Sequence, residues 1–142
     1  ICEILEKANL PLMLHSNETV GHQYPGKGNT SLKSIYDFIR AFPGVRIILA
    51  HWGGGFFFYE LMPEVAKVAE RIWYDTAASP YLYRREIYSV AVTIVGADKI
   101  LFGSDYPLLR PGRYFEEMED SGLGEEERRK ILGQNIRNLL NI

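Results

Sequence analysis

"IILAHWGGG", residues 47–55, runs four apolar residues into a histidine, then a tryptophan, then three glycines. The apolar part is short and carries β-branched side chains, which reads as a strand buried on both faces of a parallel sheet. It ends on a side chain that can bind a proton or a metal, and gives way to the most permissive backbone available. The same arrangement recurs along the chain. "LPLMLH" (10–15), "VRIILAH" (45–51), "RIWYDTA" (71–77) and "KILFGSD" (99–105) are four such runs, and three of them finish on His15, His51 and Asp105.

Helical patterns separate the runs. Leu32, Ile35, Tyr36, Ile39 and Phe42 follow the i, i+3, i+4, i+7 rule, with Thr30 or Ser31 as cap and Pro43-Gly44 as stop. Leu61, Val65, Val68 and Ile72 mark a second helix whose start Pro63 can shift. Ile87, Ala91, Ile94 and Val95 mark a third, closed by Gly96. "GEEERRKILG" reads as a fourth, with acidic and basic ends that suit the helix dipole and i, i+4 pairs Glu125/Arg129 and Glu126/Lys130. The strand starts are spaced by roughly 30 residues, as right-handed βαβ units require. The fold class is therefore α/β, with four parallel strand–helix units. A full (β/α)8 barrel takes roughly 250 residues, so the expected architecture is half of a TIM-like barrel. "ICEILEKANL" reads as the tail of an earlier helix, and the chain opens on Ile1, so it is expected to start mid-pattern.

The totals set bounds. The 142 residues, 46% hydrophobic and 24% charged, suit a single domain over 1–142 with a real core. A net charge of −2, from 16 basic and 18 acidic residues, makes no electrostatic case for nucleic acid or a membrane surface. No apolar run is long enough to span a bilayer. One cysteine, Cys2, cannot form an internal disulfide, so a reducing, cytoplasmic setting is expected.

The carboxyl ends of parallel strands share one rim, where sites form. Alone, a histidine ending a strand is commonly a satisfied core or loop residue, and Asp105 after "FGS" can cap a turn. Together, two imidazoles and a carboxylate suit zinc or a similar divalent ion. Asp105 can then be ligand and base, and His51 a second ligand or a free acid/base. Asp75, near the end of the third run, is a candidate partner for a ligand histidine, with a cap or turn role as the alternative. His22 and Lys27 sit in the loop after the first run and could reach a small-molecule substrate, although solvated loop residues are the plainer reading. Trp52 begins an aromatic stretch with Phe56, Phe57, Phe58 and Tyr59, expected as core or interface packing first and as a pocket wall second. "GHQYPGK" (21–27) matches a phosphate loop, but Gly28 stands where Ser or Thr would hold Mg²⁺ and Pro25 removes an amide. It reads instead as a turn.

"PLMLHSNE", "ILAHWGGG", "LFGSDYP" and "GQNIRNLL" resemble, in the same order, the later strands of the amidohydrolase-2 type metal-dependent hydrolases. That group belongs to the amidohydrolase superfamily and includes the aminocarboxymuconate-semialdehyde decarboxylase-like enzymes. The resemblance implies the C-terminal half of their barrel. It implies His15 as a metal ligand, His51 as acid/base or second ligand, and Asp105 as ligand and proton acceptor. It also implies hydrolysis or non-oxidative decarboxylation of a small organic substrate. The family's first strand carries an H-x-H pair of further ligands. None of the three histidines here forms one, so the chain alone is expected to bind metal weakly and to lack turnover. Half a barrel leaves open strand edges and an uncovered face, so self-association, or assembly with a missing N-terminal half, is expected. A relaxed open sandwich is the alternative. Two other functions remain open: a non-catalytic half-barrel module that dimerises, and a metal-dependent phosphodiesterase on the same barrel.

Overall fold

The computed structural model describes residues 1–21, 23–25 and 27–142. Four strands, β1 (Leu12–Leu14), β2 (Ile47–Leu49), β3 (Ile72–Asp75) and β4 (Ile100–Leu101), form one parallel sheet in the order β1-β2-β3-β4. The chain divides into two compact units, Ile1–Tyr74 and Asp75–Ile142.

In the first unit, helix α1 (Cys2–Ala8) ends on Asn9 in the left-handed region, which the short amide side chain tolerates. Helix α2 (Leu32–Ala41) starts where Ser31 accepts the Ser34 amide at 3.0 Å, and buries Ile35 and Ile39. Helix α3 (Pro63–Val68) begins on its proline, whose missing N–H costs nothing there. Ile72 belongs to β3, not to the helix before it. The register places Leu12, Ile47 and Ile72 together, then Met13, Ile48 and Trp73, then Leu14, Leu49 and Tyr74. The first and third rows share a face, where Ile47, Leu49, Ile72 and Tyr74 are buried.

The middle row faces the other way, and burial on both faces fails for β1: Met13 is 60% exposed. β1 is the outermost strand in the order.

The second unit holds helices α4 (Ser79–Leu82), α5 (Ile87–Val95), α6 (Pro111–Glu119), α7 (Glu125–Arg129) and α8 (Asn135–Leu140) together with β4. α5 stops at Gly96, φ 80°, as expected. The acidic and basic side chains of α7 pair differently from the i, i+4 expectation. Glu126 meets Arg129 at 2.7 Å, and Lys130 reaches Asp98 at 2.8 Å. Glu126, Arg129 and Asp98 are exposed and Lys130 is half-buried, so the exchange matters little.

The link from α7 to α8 is a π-type turn, Lys130–Gln134, in which the Ile131 carbonyl accepts the Phe102 amide at 3.0 Å. One turn on, the buried Asn135 side-chain amide donates to the Ala97 and Ile100 carbonyls at 2.7 and 2.8 Å. Both acceptors flank the start of β4, so one amide group seats the closing helix on its strand. Replacing Asn135 by Leu strands two buried carbonyls, and an urea melt should show a loss of about 2–3 kcal/mol with an unchanged slope.

Candidate metal and proton-transfer site

Strand pairing in the first unit ends where the Leu14 carbonyl accepts the Ala50 amide at 2.9 Å. The next residue on each strand is a histidine. The His15 and His51 rings meet edge to face, centroids 5.0 Å apart and planes at 74°. His15 is exposed and His51 half-buried.

The glycines explain how this contact is made. From His51 to Gly55, five consecutive residues have positive φ: 56°, 58°, 65°, 59° and 89°. The chain turns left-handed at once and comes back over the segment that follows His15. A Cβ on Gly54 would lie 2.3 Å from the Asn17 carbonyl oxygen and 2.7 Å from its carbon, so backbone packs on backbone there. Two of the five residues are not glycine, and each costs about 1–2 kcal/mol in this conformation. Trp52 offsets that cost. Its side chain is wholly buried and lies 6.1 Å from the Phe57 ring. Burying on the order of 200 Å² of indole at about 25 cal/mol/Å² yields about 5 kcal/mol.

That burial also places Trp52 in the core and not on an accessible pocket wall. Phe56 and Phe57 are buried with it, whereas Phe58 and Tyr59 are exposed. Ser16 and Asn17, directly after His15, are buried too. Their Ser16 Oγ and Asn17 Oδ1 atoms have no hydrogen-bond partner among the described residues. Lys27 donates to the Val20 carbonyl at 3.0 Å and lies 5.8 Å from the Tyr24 ring, a loop role. His22 lies outside the described residues.

The second unit carries the two aspartates. Asp75 is buried, and its Oδ1 accepts the Ala77 amide at 3.0 Å, which is the turn role foreseen as its alternative. Thr76 Oγ1 donates to the Gly103 carbonyl at 2.9 Å, and the Gly103 amide lies 3.1 Å from the same oxygen. Asp105 is exposed, with φ 56°. Tyr114 lies close by. Its hydroxyl accepts the Ala78 amide at 2.9 Å and donates to the Ser104 carbonyl at 2.7 Å. Burial pushes the phenol up to about 12; the Ala78 amide opposes this, and the Asp105 and Asp75 carboxylates add to it.

Sequence patterns missed Tyr114 because they missed α6. The available signals were Pro111 at the first turn and the i, i+4 pair Tyr114/Met118, both buried.

The spacing of the histidine pair is that of an edge-to-face ring contact and is also compatible with a shared ion. A ring centroid lies roughly 3 Å from an ion its nitrogen binds at about 2 Å, so two rings on a tetrahedral ion stand about 5 Å apart. The observed 5.0 Å satisfies that geometry. Among the described residues, no group of three or more His, Cys, Asp or Glu side chains is placed to hold an ion.

The family model for amidohydrolases matches residues 1–142, and the chain belongs to that family. A dihydroxybenzoic acid decarboxylase from Polaromonas, solved with manganese and 2-nitroresorcinol, superposes with a TM-score of 0.73 at 18% identity. The match covers 98% of this chain and 52% of that one. For 5-carboxyvanillate decarboxylase from Sphingomonas paucimobilis the TM-score is 0.74 at 15% identity, covering 99% and 52%. For a TIM-barrel protein from Bordetella bronchiseptica it is 0.71 at 20%, covering 98% and 48%. The chain thus spans about half the length of these solved structures, and its fold is that of half a barrel. Among the described residues, no helix is long and apolar enough to cross a membrane.

The three glycines are not equivalent. At Gly55 no atom would meet an added Cβ, so Gly55→Ala incurs only the backbone strain, about 1–2 kcal/mol. Gly54→Ala adds a collision with the Asn17 backbone, and should cost about 2–4 kcal/mol. Denaturation of the two variants side by side checks the difference.

Proposed function

We propose that this chain supplies half of the catalytic rim of a divalent-metal-dependent barrel enzyme, with the remaining ligands on an N-terminal half. The reading rests on one observation above others: the left-handed turn at His51–Gly55 sets two strand-end imidazoles at the spacing of ligands on one ion. In this reading His15 is a ligand. His51 is a second ligand or the group that hands a proton to the substrate. Asp105, by its place in "FGSDYP", is a ligand and proton acceptor. Zinc or manganese suits a set of imidazole and carboxylate donors. When bound, such an ion supplies Lewis-acid polarisation of an oxygen on water or substrate.

The protein's own groups then carry the proton traffic. In a hydrolysis, Asp105 takes a proton from the attacking water while His51 polarises the carbonyl. In a decarboxylation, His51 or Asp105 delivers the proton that replaces CO₂ at carbon. Two of the compared structures are decarboxylases of aromatic acids, which makes decarboxylation the first reaction to assay. A second reading, self-association of a non-catalytic half barrel, draws on the exposed Met13 of β1, 60% accessible, and on Leu10 just before the strand, 51% accessible.

The test is complementation. The chain is mixed or fused with an N-terminal half bearing H-x-H, loaded with Mn²⁺ or Zn²⁺, and assayed on hydroxybenzoic acids and on amide or lactone substrates. Turnover should appear only with both halves and metal, and His51→Asn should lower kcat by about a hundredfold or more with little change in KM. Metal-independent turnover, or tight one-to-one metal binding by the monomeric chain alone, would overturn the reading.

A further inference from the structure

In the Asp75–Ile142 unit, one phenol ties together two left-handed backbone positions. Ala78 has φ 58° and Asp105 φ 56°. The Tyr114 hydroxyl binds the Ala78 amide on one side and the Ser104 carbonyl on the other. The Ser104 carbonyl belongs to the peptide that leads into Asp105. Its plane is therefore one of the two that define φ at Asp105. One peptide earlier, the Thr76 hydroxyl clasps Gly103 through both its backbone groups.

The Tyr114 ring cannot swing away. It is wholly buried, edge to face with Phe102 at 5.6 Å. The Asp105 carboxylate, by contrast, is exposed and accepts no hydrogen bond among the described residues. The backbone sets its Cα–Cβ direction, and with it the arc that the carboxylate rotamers can reach.

We propose that Tyr114 is a positioning residue for Asp105: by bridging the Ala78 amide and the Ser104 carbonyl, its hydroxyl holds Asp105 left-handed and so aims the carboxylate. The inference rests on the assignment of Asp105 as ligand and proton acceptor made above. A tyrosine that merely tied two loops together would contribute stability and leave the direction of Asp105 unchanged.

Tyr114→Phe keeps the ring and removes the hydroxyl. In the isotope-labelled chain, the amide–Hα coupling and the Cα and Cβ shifts of Asp105 read its φ without any metal. Wild type should show the left-handed value, and Tyr114→Phe should average towards extended values. Tyr74→Phe, which removes a buried phenol bonded to Glu60 in the other unit, should leave the Asp105 signals in place. In the complemented barrel, Tyr114→Phe should weaken Mn²⁺ binding about tenfold, and Asp105→Asn should weaken it further. Unchanged Asp105 signals in Tyr114→Phe would overturn the proposal. So would altered signals with unaltered Mn²⁺ affinity while Asp105→Asn still loses metal. If Asp105→Asn binds Mn²⁺ as wild type does, the assignment of Asp105 itself fails.

Discussion

The contact on which the rest depends is backbone against backbone: Gly54 lying on the carbonyl of Asn17. A parallel sheet delivers its strand ends to one rim, but it does not by itself bring two side chains into ring contact. Here the chain leaving β2 reverses immediately, through five left-handed residues. Glycine supplies three of them at little cost. The other two are held in place because reversing the turn would expose an indole. The strained residue His51 is thus fastened by its neighbour Trp52, so the candidate side chain stands where packing has fixed the backbone.

The second unit solves a similar problem with side chains. Its left-handed positions, Ala78 and Asp105, are residues with a Cβ, and no glycine run relieves them. Hydroxyls take over the role, from Thr76 to Gly103 and from Tyr114 to Ala78 and Ser104. Both are buried, where a satisfied hydrogen bond is strong and an unsatisfied one is costly. Asn135 does comparable work beneath β4. Polar side chains in this fold are therefore concentrated where the backbone leaves regular structure, and the apolar ones sustain the strands between.

How much of this could be read from residues alone follows the same division. Apolar runs such as Ile47–Leu49 announce strands because burial is a property of composition. Ser31 and Gly96 announce helix ends because capping is local. An uncovered face was expected of half a barrel, but which side chain would be bare was not legible, since Met13 looks like any core residue until one knows what covers it. Helix α6 was hidden by its charged majority, Arg113, Glu116, Glu117 and Glu119, with only Tyr114 and Met118 buried. With α6 went Tyr114, whose role depends on partners at Ala78 and Ser104, far away in sequence. His15 and His51 were legible as residues just past strand ends, whereas β4 stops at Leu101, four residues short of Asp105, because the chain leaves the sheet early there. That Gly54, and not Gly55, makes the close approach required coordinates.

The most direct test of the central claim is to titrate the chain with Mn²⁺ and follow the imidazole ring signals of His15 and His51 by NMR, since paramagnetic broadening reports distance to the ion even when binding is weak. The account predicts that His15 and His51 broaden together, at the same metal concentration. Broadening of one without the other would contradict it.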